Sequence, residues 1–461
     1  METVETKQNK FFRVFQNLKE RLFVKWNAVK EVVSHANWKT SLSFAFMGVG
    51  QLCYKKWIKG IIYFIIQILA LLYFIFKGAQ DFIGLFTLGS VKANPWYGVK
   101  GDNSIIMLIL GILSVIFIIL YICVYISNVK DAYTTQLRVE AQEKPLSFKD
   151  EIKELLNSKF HITTLFLPVL GVAIFNILPI IFMILMAFTN YGGSIADNND
   201  LVDWVGLDNF FKLVSLVDIS GTFFRILGWN LLWAILSTFI NYFAGLGLAL
   251  LLNRKCVKGK VFWRAFPIIA YAVPGFITLL GFKFMFSYGG PINSMIVSNG
   301  GTAIGFLDLD AKWTARLIGL LVNAWISIPS SMLLATGILS NMRTDLYEAA
   351  SLHGAKPFQQ FTHITLPYVL FATTPVLITQ FTGNFNNFGI FYFLRGGLYL
   401  DGYFNASDTD LLINWLYNLS IDNNYYSIGA AISLVIFIIT SLISLAVYVA
   451  SPSYKQEDTY K

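Results

Sequence analysis

The chain has 461 residues, of which 56% are hydrophobic and only 13% charged. A soluble fold cannot cover that much apolar surface with so few charges, so soluble, disordered and nucleic-acid-binding classes are excluded and a polytopic membrane protein remains. The 35 Lys and Arg against 27 Asp and Glu leave a net charge of +8, which in this class reflects basic loops on one side of a bilayer.

Residues 1–40 open the chain with eight Lys and Arg. Between them Phe11, Phe15, Leu18, Leu22, Trp26, Val29 and Val33 recur at helical spacing. That pattern predicts an amphipathic helix, lying either on the inner membrane surface or against its own protein. A long basic segment of this kind does not read as a cleavable leader. The uncharged stretch 41–54 is too short to span and is expected to be re-entrant or interfacial.

Eight apolar runs long enough to cross follow, at roughly 58–76, 104–127, 162–189, 228–252, 262–286, 317–340, 367–394 and 427–450. The predicted fold is an all-α polytopic membrane protein of about eight transmembrane helices. The loops sort by charge. Residues 128–160 carry six Lys and Arg, and the short 253–261 loop carries Arg254, Lys255, Lys258 and Lys260. Residues 190–227 hold five Asp against Lys212 and Arg225, and residues 395–426 hold four Asp and one Arg. The positive-inside rule then places both termini in the cytoplasm. The domain reading is a basic segment 1–40, a membrane hairpin with its linker 41–160, a main transmembrane domain 161–450 and a tail 451–461. A second amphipathic stretch, with Phe148, Ile152, Leu155 and Phe160, precedes the third span.

Familiar catalytic signatures are missing. Cys53, Cys123 and Cys256 have no paired spacing, and His353 and His363, ten apart, match no zinc spacing. No phosphate-binding G-x-x-x-x-G-K-[ST] run occurs, so this chain is expected to bind no ATP and no cofactor of its own. The eight spans hold almost no ionisable residues, and Lys283 lies near an end where it can snorkel. That weighs against proton coupling and suggests an uncharged substrate, while sodium coupling through carbonyls stays open.

The loop 341–367 carries the sharpest signal. Asp345 and Glu348 form a D-x-x-E start close to a capping box, Ala349 and Ala350 are small, Gly354 is a helix stop, and Pro357 suits the first turn of a second helix. The prediction is a compact helical elbow before Leu366 and Pro367 enter the seventh span. Glu348-Ala349-Ala350, Gly354 and Ile364-Thr365-Leu366-Pro367 together resemble the EAA motif of ABC-importer permeases. The runs Phe266 to Gly275, Val322 to Pro329, Asn384 to Phe388 and Thr409 to Tyr417 are similar to MalF-type permeases of maltose and maltodextrin importers. The resemblance implies a type I ABC-importer core in a bacterial cell membrane. It also implies a second homologous permease, a dimeric ATPase that binds the ATP, and an extracytoplasmic sugar-binding protein. In that family the elbow docks on the ATPase. One departure stands out: residues 190–227 are too few for the large insertion some MalF proteins carry there.

Polar stripes mark where a sugar would sit. Gln380, Asn384 and Asn387 fall at i, i+4 and i+7, with Gly383 beside them, and the sixth span offers Asn323, Ser327 and Ser330. Amides and hydroxyls suit sugar hydroxyls, and Phe388 or Phe391 would cover an apolar sugar face. The same residues would equally serve to bridge helices. The family resemblance implies sugar contacts at Ile326, Ser327, Ser330, Gln380, Gly383, Asn384 and Asn387. Ser330 and Gly383 stand where relatives carry aromatics, which points to a roomier pocket. The expected function is uptake of malto-oligosaccharides by an ATP-driven importer. Its alternatives are a raffinose-type sugar or a polyol, an ion-coupled sugar carrier, and a non-transporting scaffold. Pro267, Pro274, Pro329 and Pro375 interrupt spans five to seven and allow bends.

Overall fold

The computed structural model describes residues 32–197, 200–254 and 256–451. The amphipathic pattern from Phe11 to Val29 lies outside them. The described residues fall into two units, one running to residue 183 with 200–203 and one holding the remainder.

In the first unit, helix α1 (Trp38–Ala45) and helix α2 (Val49–Cys53) fold into a tight corner. Neither is long enough to cross, and the stretch 41–54 is built as this corner. Its turn requires glycine: Gly48 has φ +84°, and a Cβ there would lie 2.0 Å from the Gly60 carbonyl oxygen. Helices α3 (Trp57–Thr87) and α4 (Ser104–Glu140) form the membrane hairpin. Asn128 of α4 holds the corner in place, accepting from the Gly48 N–H at 2.9 Å and donating to the Ser43 carbonyl at 3.1 Å. Helix α5 (Phe148–Leu156) is tied to the hairpin by charge: Lys56 and Lys59 each reach both Asp131 and Glu151. Between α3 and α4, the backbone N–H groups of Ser90 and Val91 hold the Asp102 carboxyl below the usual carboxylate range. The division between the units falls inside α6 (Phe160–Met186), the barest of the spans.

The second unit continues through α7 (Asp208–Ser215) and α8 (Val217–Asn253), a helix of 37 residues. At ~1.5 Å per residue α8 is about 55 Å long, well beyond the roughly 30 Å hydrocarbon layer. The fifth span is not one helix. It breaks at Val273-Pro274 into α9 (Lys260–Ala272) and α10 (Gly275–Met285), bent by 89°. Pro274 has no N–H to continue the α9 ladder, and it disfavours helical backbone at Val273. Helix α11 (Lys312–Ser340) packs along α8, and α12 (Thr344–Leu352) follows it. The seventh span also breaks. Helix α13 (Leu366–Phe385) stops, Asn386 and Asn387 leave helical geometry, and α14 (Phe388–Arg395) starts with Asn387 as its N-cap. Helices α15 (Leu412–Tyr417) and α16 (Tyr426–Ala450) close the unit.

Two apolar clusters hold this unit together. One gathers Trp229 and Trp233 of α8, Ile318 and Val322 of α11, and Ile390, Phe391 and Leu394 of α14. The other gathers Tyr242, Leu246 and Ala249 of α8, Met332 and Ala335 of α11, and Val369 of α13. Close approach of α8 and α11 depends on Gly245, where an added Cβ would sit 2.5 Å from the Ser331 Cβ. Gly247, two residues on and so on roughly the opposite side of α8, opens onto free space. We therefore expect Gly245→Val to destabilise the protein by roughly 1–3 kcal/mol through overpacking. Gly247→Val is expected to be tolerated. Thermal unfolding of the purified variants in detergent checks the contrast.

Candidate functional site

Between the two apolar clusters lies a polar layer. On α8 it comprises Ser237, Thr238 and Asn241, between Trp233 and Tyr242. On α11 it runs from Asn323 to Ser331, and on α13 and the break after it from Gln380 to Asn387. The two predicted stripes touch directly at Asn323, while Gln380 reaches Ser331, which lies outside the predicted stripe. Asn323 Nδ2 donates to Asn384 Oδ1 at 3.4 Å, Asn387 Nδ2 to Asn323 Oδ1 at 3.2 Å, and Gln380 Nε2 to Ser331 Oγ at 3.1 Å. Asn384 also donates to Thr238 Oγ1 at 3.0 Å, and its carbonyl accepts from Trp233 Nε1 at 3.1 Å. Asn384 is thus a buried bridge among three helices, the role polar residues commonly take in membranes.

The other predicted residues divide. Gly383 is exposed, with open space where a side chain would go. Ser327 and Ser330 are half-buried, and the Ser330 hydroxyl bonds back to the Ser327 carbonyl at 2.8 Å. Ile326 packs against the first apolar cluster. Asn387 leaves the helical face shared by Gln380 and Asn384, because it caps α14, accepting from the Ile390 N–H at 3.3 Å. Phe391 is unable to cover a ligand: it is 1% exposed and wedged against Trp233, with ring centroids 5.0 Å apart. Phe388 is half-buried and stacks on Tyr392 at 4.5 Å. The layer retains unused hydrogen-bonding capacity. Ser237 Oγ, Asn241 Oδ1, Thr336 Oγ1 and Gln380 Oε1 are buried without a partner among the described residues. Buried polar atoms are rarely left so.

Beyond the first cluster, residues 406–412 form a buried plug. Trp229 Nε1 donates to the Thr409 carbonyl at 3.1 Å, and Asn230 accepts from the Leu412 N–H at 2.7 Å. Arg395 donates to Asp408 Oδ1 at 2.5 Å and to the carbonyls of Leu307, Asp308 and Leu309. Arg316 donates to the Asp408 carbonyl. Both arginines escape the sequence reading by one residue, because the predicted spans stop at 394 and start at 317. Burial pushes the Asp410 carboxyl up to about 6, against hydrogen bonds from Ser407 and Asn418 that favour its ionised form.

At the opposite end of α11 stands the elbow. Helix α12 begins at Thr344 and ends before Gly354, whose φ of +76° makes it the predicted stop. The D-x-x-E capping box does not form. Asp345 sits inside the helix and pairs with exposed Arg343 at 2.9 Å, while Glu348 is free at the surface. Capping occurs instead at the second helix, where Gln359 Oε1 accepts from the Lys356 N–H at 2.8 Å before Pro357. Sequence reasoning missed the brace: Tyr347 Oη meets Thr365 Oγ1 at 2.9 Å, locking α12 to the start of α13. A phenol seven residues before a helix stop carries no recognisable signal. Glu348 and Ala349 are exposed, Ala350 and Leu366 half-buried, and Pro367 exposed. Two large apolar side chains beside them, Leu352 at 89% exposure and Phe358 at 75%, have nothing covering them.

Residues 241–454 match the family model described as the binding-protein-dependent transport system inner membrane component. The maltodextrin transport system permease protein MalC of Streptococcus pneumoniae is 34% identical over 430 residues, covering 91% of this chain and 97% of that one. The chain belongs to this permease family. The galactooligosaccharides transport system permease protein GanP of Bacillus subtilis is also 34% identical, over 89% of this chain and 96% of its own. Among solved structures, a bacterial ABC transporter that imports the acidic polysaccharide alginate shares the fold. Its TM-score is 0.53 at 21% identity, over 65% of this chain and 96% of that one. The chain is therefore a transport subunit and not an enzyme, with ATP hydrolysis in a separate subunit.

The plug of this permease gives a pH signature. The folded-state pKa of Asp410 lies above its ordinary value of 3.8, so this group adds stability as pH falls from above 6 towards 4 and withdraws it as pH rises. A shift of that size is worth up to about 3 kcal/mol. In Asp410→Asn we expect that contribution to vanish. The wild-type advantage over the variant should grow as pH drops from about 8 to about 5 in thermal unfolding.

Proposed function

We propose that this permease carries malto-oligosaccharides across the bacterial cell membrane as one half of the channel of an ATP-driven importer. Above all, the reading rests on the polar layer between two apolar clusters. A neutral oligosaccharide needs hydroxyls and amides at mid-membrane and no fixed charge, and this layer supplies both conditions. Gln380, Gly383, Asn384, Asn387, Ser327 and Ser330 would meet the sugar, with Ile326 supporting them from the apolar side. The unpaired oxygens of Gln380 and Asn241 are available acceptors, and open space beside Gly383 leaves room for a sugar ring. The relative named for maltodextrin supports the substrate class. The equally similar relative named for galactooligosaccharides supports a second reading within neutral oligosaccharides.

The elbow of this reading is the handle for the ATPase. Glu348, Ala349, Ala350 and Gly354 would seat α12 in a cleft of the ATP-hydrolysing dimer, with Leu352 and Phe358 as apolar anchors. Leu366 and Pro367 would lead the motion into α13. The remaining partners are a second homologous permease across the channel and a sugar-binding protein outside. Both termini face the cytoplasm in this arrangement, following the basic loops. ATP-driven closure of the ATPases would open the layer outward to receive sugar, and hydrolysis would return it to the inward side. The chain needs no cofactor for this.

Uptake of labelled maltotetraose, with and without the gene, tests the substrate. Loss on deletion, restored by the gene, is the expected result. Loss of galacto-oligosaccharide uptake alone would move the substrate to the second reading. Gly383→Trp is the sharper test of the layer, because it fills open space without removing a helix bridge. We expect it to cut uptake at least tenfold while the subunits still co-purify. Glu348→Lys is expected to leave the protein in the membrane but to abolish co-purification of the ATPase.

A further inference from the structure

At the end of the second unit opposite the elbow, a lateral groove of about 600 Å³ opens between α8 and α11. Arg225, Lys312 and Arg316 line it together with Trp229 and Tyr403, and none of its lining residues is acidic. The absence of an acid is unusual here, since the loops at this end carry mostly Asp. Arg316 is only 9% exposed and lies flat on Trp229, its guanidinium 3.9 Å from the ring centroid. Its hydrogen bonds go to the Asp408 carbonyl and not to a carboxylate. The carboxylates of the neighbouring plug are committed elsewhere: Asp408 to Arg395, and Asp410 to Ser407 and Asn418. Arg225 bonds the Gly402 carbonyl at 3.3 Å and stands over Tyr403, while Lys312 stands over Trp313. Three cations thus line one groove that holds no acid, and the one carboxylate acting on Arg316, that of Asp408, is already paired with Arg395, an arrangement that draws a negative ligand from outside.

Depth says which ligand. Counted along α8 and α11 from their elbow-side ends, the three cations lie roughly 36–42 Å away. That is beyond the roughly 30 Å hydrocarbon layer and within its headgroup zone. Inward from the groove, Leu232, Ile235 and Phe239 of α8 continue one helical face from Gly228, and all are exposed. A protein carboxylate would need no apolar track beneath it, and an acidic partner surface would meet the acidic loops around the groove. We propose that the groove binds the phosphate of an anionic phospholipid, whose acyl chains lie along Leu232, Ile235 and Phe239. The aromatic rings flank the headgroup as they do at membrane interfaces generally. Under the orientation proposed above, this is a lipid of the outer leaflet.

The test is native mass spectrometry of the full-length permease, with its co-purifying subunits, released from bilayers of equal phosphatidylglycerol and phosphatidylcholine. The wild type should retain phosphatidylglycerol over phosphatidylcholine by roughly tenfold or more. Arg225→Gln with Lys312→Gln should bring the two lipids close to parity. Gly228→Trp should do the same by filling the groove while keeping every cation, and it stays informative if the double variant fails to fold. A Cβ at Gly228 meets open space, so that substitution is sterically free. Equal retention of both lipids by the wild type would overturn the proposal, as would a preference that survives Gly228→Trp. Displacement of the lipid by millimolar inorganic phosphate would show a free-anion site instead. A zero-length crosslink from Lys312 to a carboxylate of another subunit would make the groove a protein interface. Neither of the last two outcomes depends on which sugar is carried.

Discussion

Inside a bilayer, a polar group that finds no partner in protein finds none at all. The second unit is organised around that constraint. Its apolar residues could have formed one continuous core along α8 and α11. They are divided instead by a band in which α8, α11, α13 and the break after α13 present amides or hydroxyls. Asn384 makes the band coherent by reaching both Thr238 and Asn323 while its carbonyl receives Trp233. These bonds set the relative height of three helices, so the clusters on either side inherit their register from the band. A purely apolar interface would allow the helices to slide, because lipid and leucine are nearly equivalent solvents.

The broken seventh span follows from the same constraint. Ending α13 at Phe385 frees carbonyls that a continuous helix would have consumed. The Phe385 carbonyl is taken by Asn230 Nδ2 at 3.0 Å and the Asn384 carbonyl by Trp233. The restart at Phe388 is capped by Asn387. The Phe385 and Asn384 carbonyls at the break are thus met by α8, and the Ile390 N–H by Asn387. Non-helical backbone at membrane depth is tolerated only when it is supported in this way.

Much of this was legible in the sequence, and the remainder was hidden for definable reasons. Apolar runs of about 20 residues announced the spans, and Pro274 announced an interruption though not its 89° angle. The two polar stripes were visible as helical spacings, and Asn323 is where they meet, directly and not across a cavity. Asn387 was placed on the wrong geometry, because i+7 presumes a helix that stops two residues earlier. Phe391 looked like a ligand cover, because periodicity does not say which face Trp233 occupies. Arg316 and Arg395 looked like loop charges, since hydropathy ends a span where charge begins. The helices run on past that point, and it is tertiary partners that make buried charge acceptable there. The failed capping box at Asp345 is a similar case: the spacing fits, but the N-cap falls two residues earlier, at Arg343.

The position of α13 connects the elbow to the polar layer. Its first residue adjoins Thr365, which Tyr347 braces to α12, and Asn384 stands in its last turn. Twenty residues separate its ends, a rod of about 30 Å. In the proposed coupling, a push on α12 would reach the polar layer through α13, a helix that deforms less readily than a loop. At the receiving end, the contacts to be broken are amide pairs at 3.2–3.4 Å, which are long and weak by hydrogen-bond standards. At the driving end, the brace is a single 2.9 Å hydroxyl contact backed by Gln360 on Ser351. In the proposed transport cycle this asymmetry suits a lever. The handle holds its shape, whereas the grip on the layer is made of bonds that sugar hydroxyls can replace one for one.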